Sequence, residues 1–281
     1  MKLAICNETW GDLDFAATCG RIAAAGFQGI EIAPFTLKEN PWDLSVNELK
    51  AHRAVATAAG LDIIGLHWLL KAPAGFHISS PDPAIRRRTH DFLRHLVEVN
   101  AELGGRILVF GSPNCRSLGT EIAPEEGWKR SREIFRDIAE YAHRHGAILA
   151  LEPLSPIETD FLSSAAEGER MVEEVAHPGC KLHLDVKAMA GELLCRDGFF
   201  TPESLSLGIA ELIRRHRRHL VHFHANDPNR RGPGTGIVDY APIFAALRDI
   251  DYQAWLSVEV FDYAEGADEI ARNSADFLRR G

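Results

Sequence analysis

The sequence predicts an α/β chain folded as a (β/α)8 barrel of the TIM type, on three observations. Eight compact apolar runs alternate with longer amphipathic stretches, the number of units that closes such a barrel. Glycine-bearing turns (AAGF, AAGL, ELGG, RHGA) recur just before the next apolar run, where a helix must end at positive φ before the chain re-enters a barrel. Finally, 281 residues with 46% hydrophobic composition suffice for one large core, so residues 1–281 are read as a single domain. An open doubly wound sheet shares the alternation, but it carries a glycine-rich phosphate turn after its first strand, and here that turn reads NETWGD.

Taken in order, the predicted strands are 2–6 (KLAIC), 28–32 (QGIEI), 61–67 (LDIIGLH), 106–110 (RILVF), 147–152 (AILALE), 180–185 (CKLHLD), 219–224 (LVHFH with its preceding histidine) and 255–260 (WLSVEV). Each is short, apolar and bounded by turn residues. The helices fall at 12–25, 46–59, 83–103, 124–145, 164–177, 203–217, 240–249 and 265–279, several opening on Asp or Ser and closing on Gly. No low-complexity segment, linker or internal sequence repeat interrupts them.

Composition narrows the function. The net charge of −9, with no block of five like charges, disfavours nucleic acid. Cys6, Cys19, Cys115, Cys180 and Cys195 form no CxxC pair, which suits isolated thiols in a reducing, cytoplasmic setting. The apolar stretch in MKLAICNETWGD is too short for a signal peptide and no run of about 18 apolar residues occurs, so no membrane is expected.

Four apolar runs end on a candidate metal ligand: LALE on Glu152, LHLD on Asp185, HFH on His224 and SVE on Glu259. As strands five to eight of one barrel they would deliver three carboxylates and an imidazole to the C-terminal rim, where such barrels place their active sites. That oxygen-rich set suits one divalent ion, Mn²⁺ or Mg²⁺ first, with Co²⁺ or Zn²⁺ as alternatives, and a cation would relieve the repulsion among the carboxylates. Each residue taken singly could equally cap its strand or bind a neighbouring loop.

Strand parity puts His183 on the face of Asp185, His222 on that of His224 and Ser257 on that of Glu259, one layer below the ligands. The two histidines therefore read as carboxylate-bonded supports of the metal site. Trp10, His67, Trp68 and the segment FGSPN (110–114) follow other strands and could wall a bound substrate, the tryptophans serving otherwise as core. Glu31 ends strand two, bonding either substrate or a nearby base. The segment RRGPGTG (230–236) is read as a loop, with phosphate binding through its N–H groups the alternative.

The stretches LEPLSPIETDF, HLDVKAM, HFHANDPNRRGPG and SVEVF resemble the sugar phosphate isomerase/epimerase superfamily of xylose isomerase-like barrels, and within it the D-tagatose/D-psicose 3-epimerases. The resemblance implies that Glu152, Asp185, His224 and Glu259 bind one divalent metal, that Glu152 and Glu259 are the two bases, and that Glu158 and Arg230 contact sugar oxygens. It implies metal-assisted epimerisation of a keto sugar, in which an ion polarises the carbonyl while one glutamate removes a proton and the other returns it to the opposite face. It also implies a homodimer or homotetramer. One departure stands out: the epimerases carry a sugar-contacting histidine three residues beyond the aspartate, where this chain has Ala188, preceded by Lys187. Lys187 then offers a charge for an acidic substrate group, a Schiff-base amine, or only a solvated loop residue. A metal-dependent lyase, dehydratase or hydrolase on the same site, and a metal-free sugar-binding barrel, are the alternatives.

Overall fold

The computed structural model describes residues 1–11, 13–197 and 201–281, excepting the side chains of residues 196 and 197. In chain order the elements are β1 (Lys2–Cys6), α1 (Phe15–Ala24), β2 (Gly29–Ile32), α2 (Pro34–Leu37), α3 (Val46–Ala58), β3 (Asp62–Leu66), α4 (Pro83–Leu103), β4 (Ile107–Phe110), α5 (Pro124–Arg144), β5 (Ile148–Leu151), α6 (Ala165–Val175), β6 (Cys180–Asp185), α7 (Val186–Asp197), α8 (Pro202–Arg215), β7 (Leu220–Ala225), α9 (Ala241–Asp249), β8 (Trp255–Val258) and α10 (Ala267–Leu278). All eight strands pair in parallel and in sequence order, and β1 closes on β8 through Lys2↔Trp255 to Ile5↔Val258. This is the closed barrel; the open sheet is excluded.

The helices start where side chains supply the missing acceptors. Asp14, Ser45, Asp82, Ser164 and Thr201 each take a first-turn N–H, Ser45 through a reciprocal box with Glu48. Asp14 thus sets the start of α1 at Phe15 rather than at residue 12, and Asp12 itself lies outside the described residues. The apolar faces of the helices pack on the outer faces of the strands in one continuous core, from Leu3 to Leu278. Among the described residues no helix is long and apolar enough to cross a membrane.

Two helices depart from the sequence reading. The one-turn α2 follows β2 directly, with Pro34 in its first turn. More consequentially, α7 begins on the residue after Asp185, with no intervening loop to announce it. Asp185 is itself the cap: its Oδ1 accepts the Ala188 N–H at 2.7 Å.

The barrel closes tightly between β3 and β4, where Gly65 pairs with Ile107. A Cβ on Gly65 would fall inside the van der Waals surface of the Ile107 carbonyl, a backbone group that cannot swing away. Gly65→Ala is therefore expected to destabilise the fold by about 1–3 kcal/mol, as overpacking of a filled core does. A denaturant midpoint unchanged from wild type would contradict that tight approach.

Candidate active site

Strand ends carry four donors to one point at the C-terminal mouth of the barrel. Glu152 lies one residue beyond β5, Asp185 closes β6, His224 is near the end of β7, and Glu259 lies one residue beyond β8. All four are buried, and one donor atom from each lies within 4.8 Å of every other. The β6–β7 register sets Asp185 beside His224 and His183 beside His222, as parity requires.

The surrounding bonds fix these groups from behind. Asp185 is held by the Ala188 N–H and by the Asn226 side-chain amide. His224 directs Nδ1 to Glu259 Oε2 and Nε2 to Glu31 Oε2, both at 3.1 Å. His67 directs Nδ1 to Glu259 Oε1 at 3.2 Å and Nε2 to Glu8 Oε2 at 2.9 Å. Glu31 also accepts from His222 Nε2 at 3.0 Å. A continuous series results, Glu8–His67–Glu259–His224–Glu31–His222, in which acid and base alternate. Glu8 and the fully buried Arg116, whose Nη1 donates to the Glu152 carbonyl at 2.7 Å, were not signalled by the sequence. Glu8 sits in a short 3-10 turn after β1 and Arg116 in the loop after β4, where neither strand nor helix periodicity applies.

Charge is distributed unequally among the acids. Burial pushes the Glu152 carboxyl up to about 8, and the Glu259 and Asp185 carboxylates push the same way. Burial lifts Asp185 to about 6 against the pull of Lys187, with Glu259 adding to the rise. For Glu259 burial also acts upward, but the His224 and His67 imidazoles outweigh it and hold the group well below its ordinary range. Burial would lower His67 and His224, yet both rings face carboxylates on either side and are raised well above the usual histidine value. Among the described residues Glu152 makes no side-chain hydrogen bond, its nearest base being His183 Nδ1 at 3.7 Å. Three crowded acids, one of them without a side-chain hydrogen bond among the described residues, with spacings a single ion can span by ligand bonds of about 2.0–2.6 Å, are a donor set suited to a divalent cation.

Above the donors a cavity is walled by His67, Trp68, Pro113, Leu154 and Phe261. Lys187 and Glu158 also face it, joined by an ion pair of 2.6 Å, with Glu158 further bonded to Ser155 Oγ at 2.9 Å. Burial would lower Lys187, but Asp185 and Glu158 outweigh it and hold the amine above its ordinary value. Gly111 completes the wall; a Cβ there would collide with the Glu152 carboxylate.

Of the other expected residues, Arg230 is exposed at the mouth, its guanidinium 5.9 Å from the Phe261 ring, while its carbonyl accepts the Phe261 and Asp262 N–H groups. Trp10 is not brought to the cavity: its indole N–H donates to Asp268 at 3.0 Å, on the outer side of the 3-10 turn that points Glu8 inward. In the 230–236 loop the Asp227 carboxylate lies against Gly236 and accepts the Ile237 N–H at 3.1 Å, so an acid fills the hollow a phosphate would need.

The sequence pattern of xylose isomerase-like TIM barrels matches residues 19–281. The chain belongs to that family. Within the xylose isomerase-like barrels it is similar to a D-psicose 3-epimerase of Ruminiclostridium cellulolyticum, 30% identical over 262 residues that span 92% of this chain and 82% of the relative. It is similar also to an L-ribulose 3-epimerase of Methylomonas sp. strain DH-1, 29% identical over 85% of this chain and 76% of that one. The crystal structure of D-psicose 3-epimerase with D-tagatose from Clostridium cellulolyticum H10 superposes with a TM-score of 0.84 at 26% identity, covering 100% of this chain and 99% of the other.

The elevated Glu152 carboxyl has a measurable consequence. In the ion-free protein it keeps a proton up to about pH 8, whereas an ordinary glutamate in the unfolded chain loses it near 4.5. Between those values the folded form binds the extra proton, so its contribution to stability declines as the pH rises through that window. Glu152→Gln should flatten the decline. Thermal unfolding of metal-stripped wild type and variant across the window checks this, and parallel pH slopes would refute it.

Proposed function

We propose that the protein is a divalent-metal-dependent epimerase acting on a keto sugar or sugar derivative, with Glu152 and Glu259 as paired acid and base. The observation that carries this reading is the meeting of Glu152, Asp185, His224 and Glu259 within 4.8 Å under a cavity walled by aromatic and polar groups. The 3-epimerase relatives support the same reaction class.

Glu152, Asp185, His224 and Glu259 would hold the ion, Mn²⁺ or Mg²⁺ suiting the oxygen-rich set best. When bound, it supplies Lewis acidity, drawing electrons from a ketone and offsetting the negative charge that develops on its oxygen. The residues perform the proton chemistry. Glu152 and Glu259 stand on strand ends three places apart around the rim, so a sugar carbon between them presents one face to each. One carboxylate takes the proton from the carbon beside the carbonyl; the opposite carboxyl delivers one to the other face, and the configuration inverts. The environment already separates the two: imidazoles hold Glu259 as an anion, whereas burial favours a proton on Glu152. Arg116 steadies the Glu152 backbone, and His67 steadies Glu259.

The Lys187–Glu158 pair, with Arg230 farther out, binds sugar hydroxyls in this reading. The pair presents one donor and one acceptor on a wall where Ala188 adds only a methyl group. Five free cysteines, four of them buried, support a reducing, cytoplasmic setting.

Incubation with Mn²⁺ and a ketose panel in D₂O tests the reaction class. An epimerase places deuterium on the inverted carbon, a hydrolase leaves carbon unlabelled, and a lyase or dehydratase changes the product mass. Glu152→Gln should cut turnover by at least about 100-fold, the lower range for loss of a general base, while ketose binding stays measurable. Near-wild-type turnover in that variant would overturn the assignment of the base.

A further inference from the structure

The cavity over the four donors opens past an aromatic pair that cations surround. The Trp68 and Phe261 rings meet edge to face, with centroids 6.2 Å apart. Three cationic groups lie against this pair: Lys187 Nζ at 4.8 Å and the Arg230 guanidinium at 5.9 Å from the Phe261 ring, and Lys71 Nζ at 5.3 Å from the Trp68 ring. Backbone strain gathers at the same place. Of the five non-glycine residues at positive φ among the described residues, two are Trp68 (52°) and Arg230 (71°), both next to Phe261. Side chains hold that conformation where neighbours enforce it, and ligand clamps are a common setting. Here the Arg230 carbonyl accepts the Phe261 and Asp262 N–H groups at 2.9 and 3.0 Å, and the Trp68 carbonyl accepts the Lys71 N–H at 3.1 Å.

The acids of the mouth are already matched. Lys187 is bonded to Glu158 at 2.6 Å, which neutralises a carboxylate that would otherwise repel an anion from the cavity. Arg231 takes up Asp262 at 2.8 Å and Glu265 at 3.2 Å. Arg230 and Lys71 are left over: among the described residues neither has a carboxylate within ion-pair distance, on a chain whose net charge is −9. Two unmatched cations at the entrance of a site, in a molecule with surplus acid, form a local field of the opposite sign to the whole.

We propose that the substrate is a keto sugar acid, a ketose whose far end carries a carboxylate received by Arg230 and Lys71 while its ketone end lies over the four donors. This rests on the keto-sugar reading above and gives Arg230 a carboxylate where a neutral sugar would offer a hydroxyl. Arg230 makes the direct contact, since a guanidinium matches a carboxylate through two parallel N–H···O bonds. Lys71, on a flexible exposed stem, adds charge at the entrance. The Trp68 and Phe261 rings exclude water beside these groups, which strengthens their attraction for an anion. Lys187 and Glu158 then meet hydroxyls along the sugar. A carboxylate suits the mouth better than a phosphate, because the Asp227 side chain fills the neighbouring hollow of the 230–236 loop and takes its Ile237 N–H.

Equilibrium binding to the Mn²⁺-loaded protein tests this with ligands that differ only in their last carbon: D-fructose, D-fructuronate and D-fructose 6-phosphate, and the matching D-tagatose, D-tagaturonate and D-tagatose 6-phosphate. In at least one series the acid is expected to bind about 10-fold or more tightly than the neutral ketose, the worth of one charge-assisted hydrogen bond. That advantage should shrink as NaCl rises from about 0.1 to about 1 M. Arg230→Gln should remove most of it, Arg230→Lys should keep part, and Lys71→Ala should reduce it, whereas a merely structural role would weaken acid and ketose alike. Thermal melting establishes that each variant is folded, and if Arg230→Gln does not fold, Lys71→Glu carries the same expectation. Equal affinity for acid and ketose, tighter binding of the 6-phosphate than of the acid, no binding in either series, or an acid preference unchanged in the folded variant would each overturn the proposal. Deuterium labelling of the neutral ketoses reports separately: acid preference without uptake would refute the reaction class and leave this inference standing, and uptake without acid preference would do the opposite.

Discussion

Charge alternation inside a closed lumen is the constraint on which this structure depends. Eight parallel strands leave an axis too narrow and dry for isolated ions, yet side chains from β2 and β7, from the residues just past β3 and β8 and from the turn after β1 all bring ionisable groups to it. The arrangement holds because each acid meets a base: Glu8, His67, Glu259, His224, Glu31 and His222 form one series in which His67 and His224 each sit between two carboxylates. Removing one member would strand its neighbours in low dielectric, so the series behaves as a unit. Glu152 stands outside it. Its nearest base is His183, with Nδ1 3.7 Å from the Glu152 carboxylate.

Backbone geometry sets up this chemistry. Parity along β6 and β7 puts paired residues at two heights, Asp185 and His224 above, His183 and His222 below. Glu152 and Glu259 lie one residue past their strands, where the chain leaves the ladder. Glycines admit the close approaches: Gly65 lets β3 and β4 meet, and Gly111 leaves the space that the Glu152 carboxylate occupies.

Much of this was legible in the sequence, for a physical reason. A strand buried on both faces must be apolar, so an acid or imidazole at its end is conspicuous, and Glu152, Asp185, His224 and Glu259 each closed such a run. The eight strands were legible likewise. The misses lie where no period applies. Glu8 and Arg116 occupy irregular turns; their inward aim depends on tertiary closure. Trp10 shares the turn with Glu8, and a 3-10 path sends the two side chains to opposite sides, so proximity to a strand end did not predict its direction. Helix α7 escaped because its cap was already counted as a strand residue.

That double duty of Asp185 has an implication beyond the lumen. Its carboxylate ends a core strand, joins the donor set and closes the first turn of an outer helix at Ala188. The opening turn of α7 cannot unwind without tugging on the centre, and any reorientation of the carboxylate slackens or tightens that turn. The outer shell of the molecule is thereby tied to the carboxylate layer at its heart through the Ala188 amide.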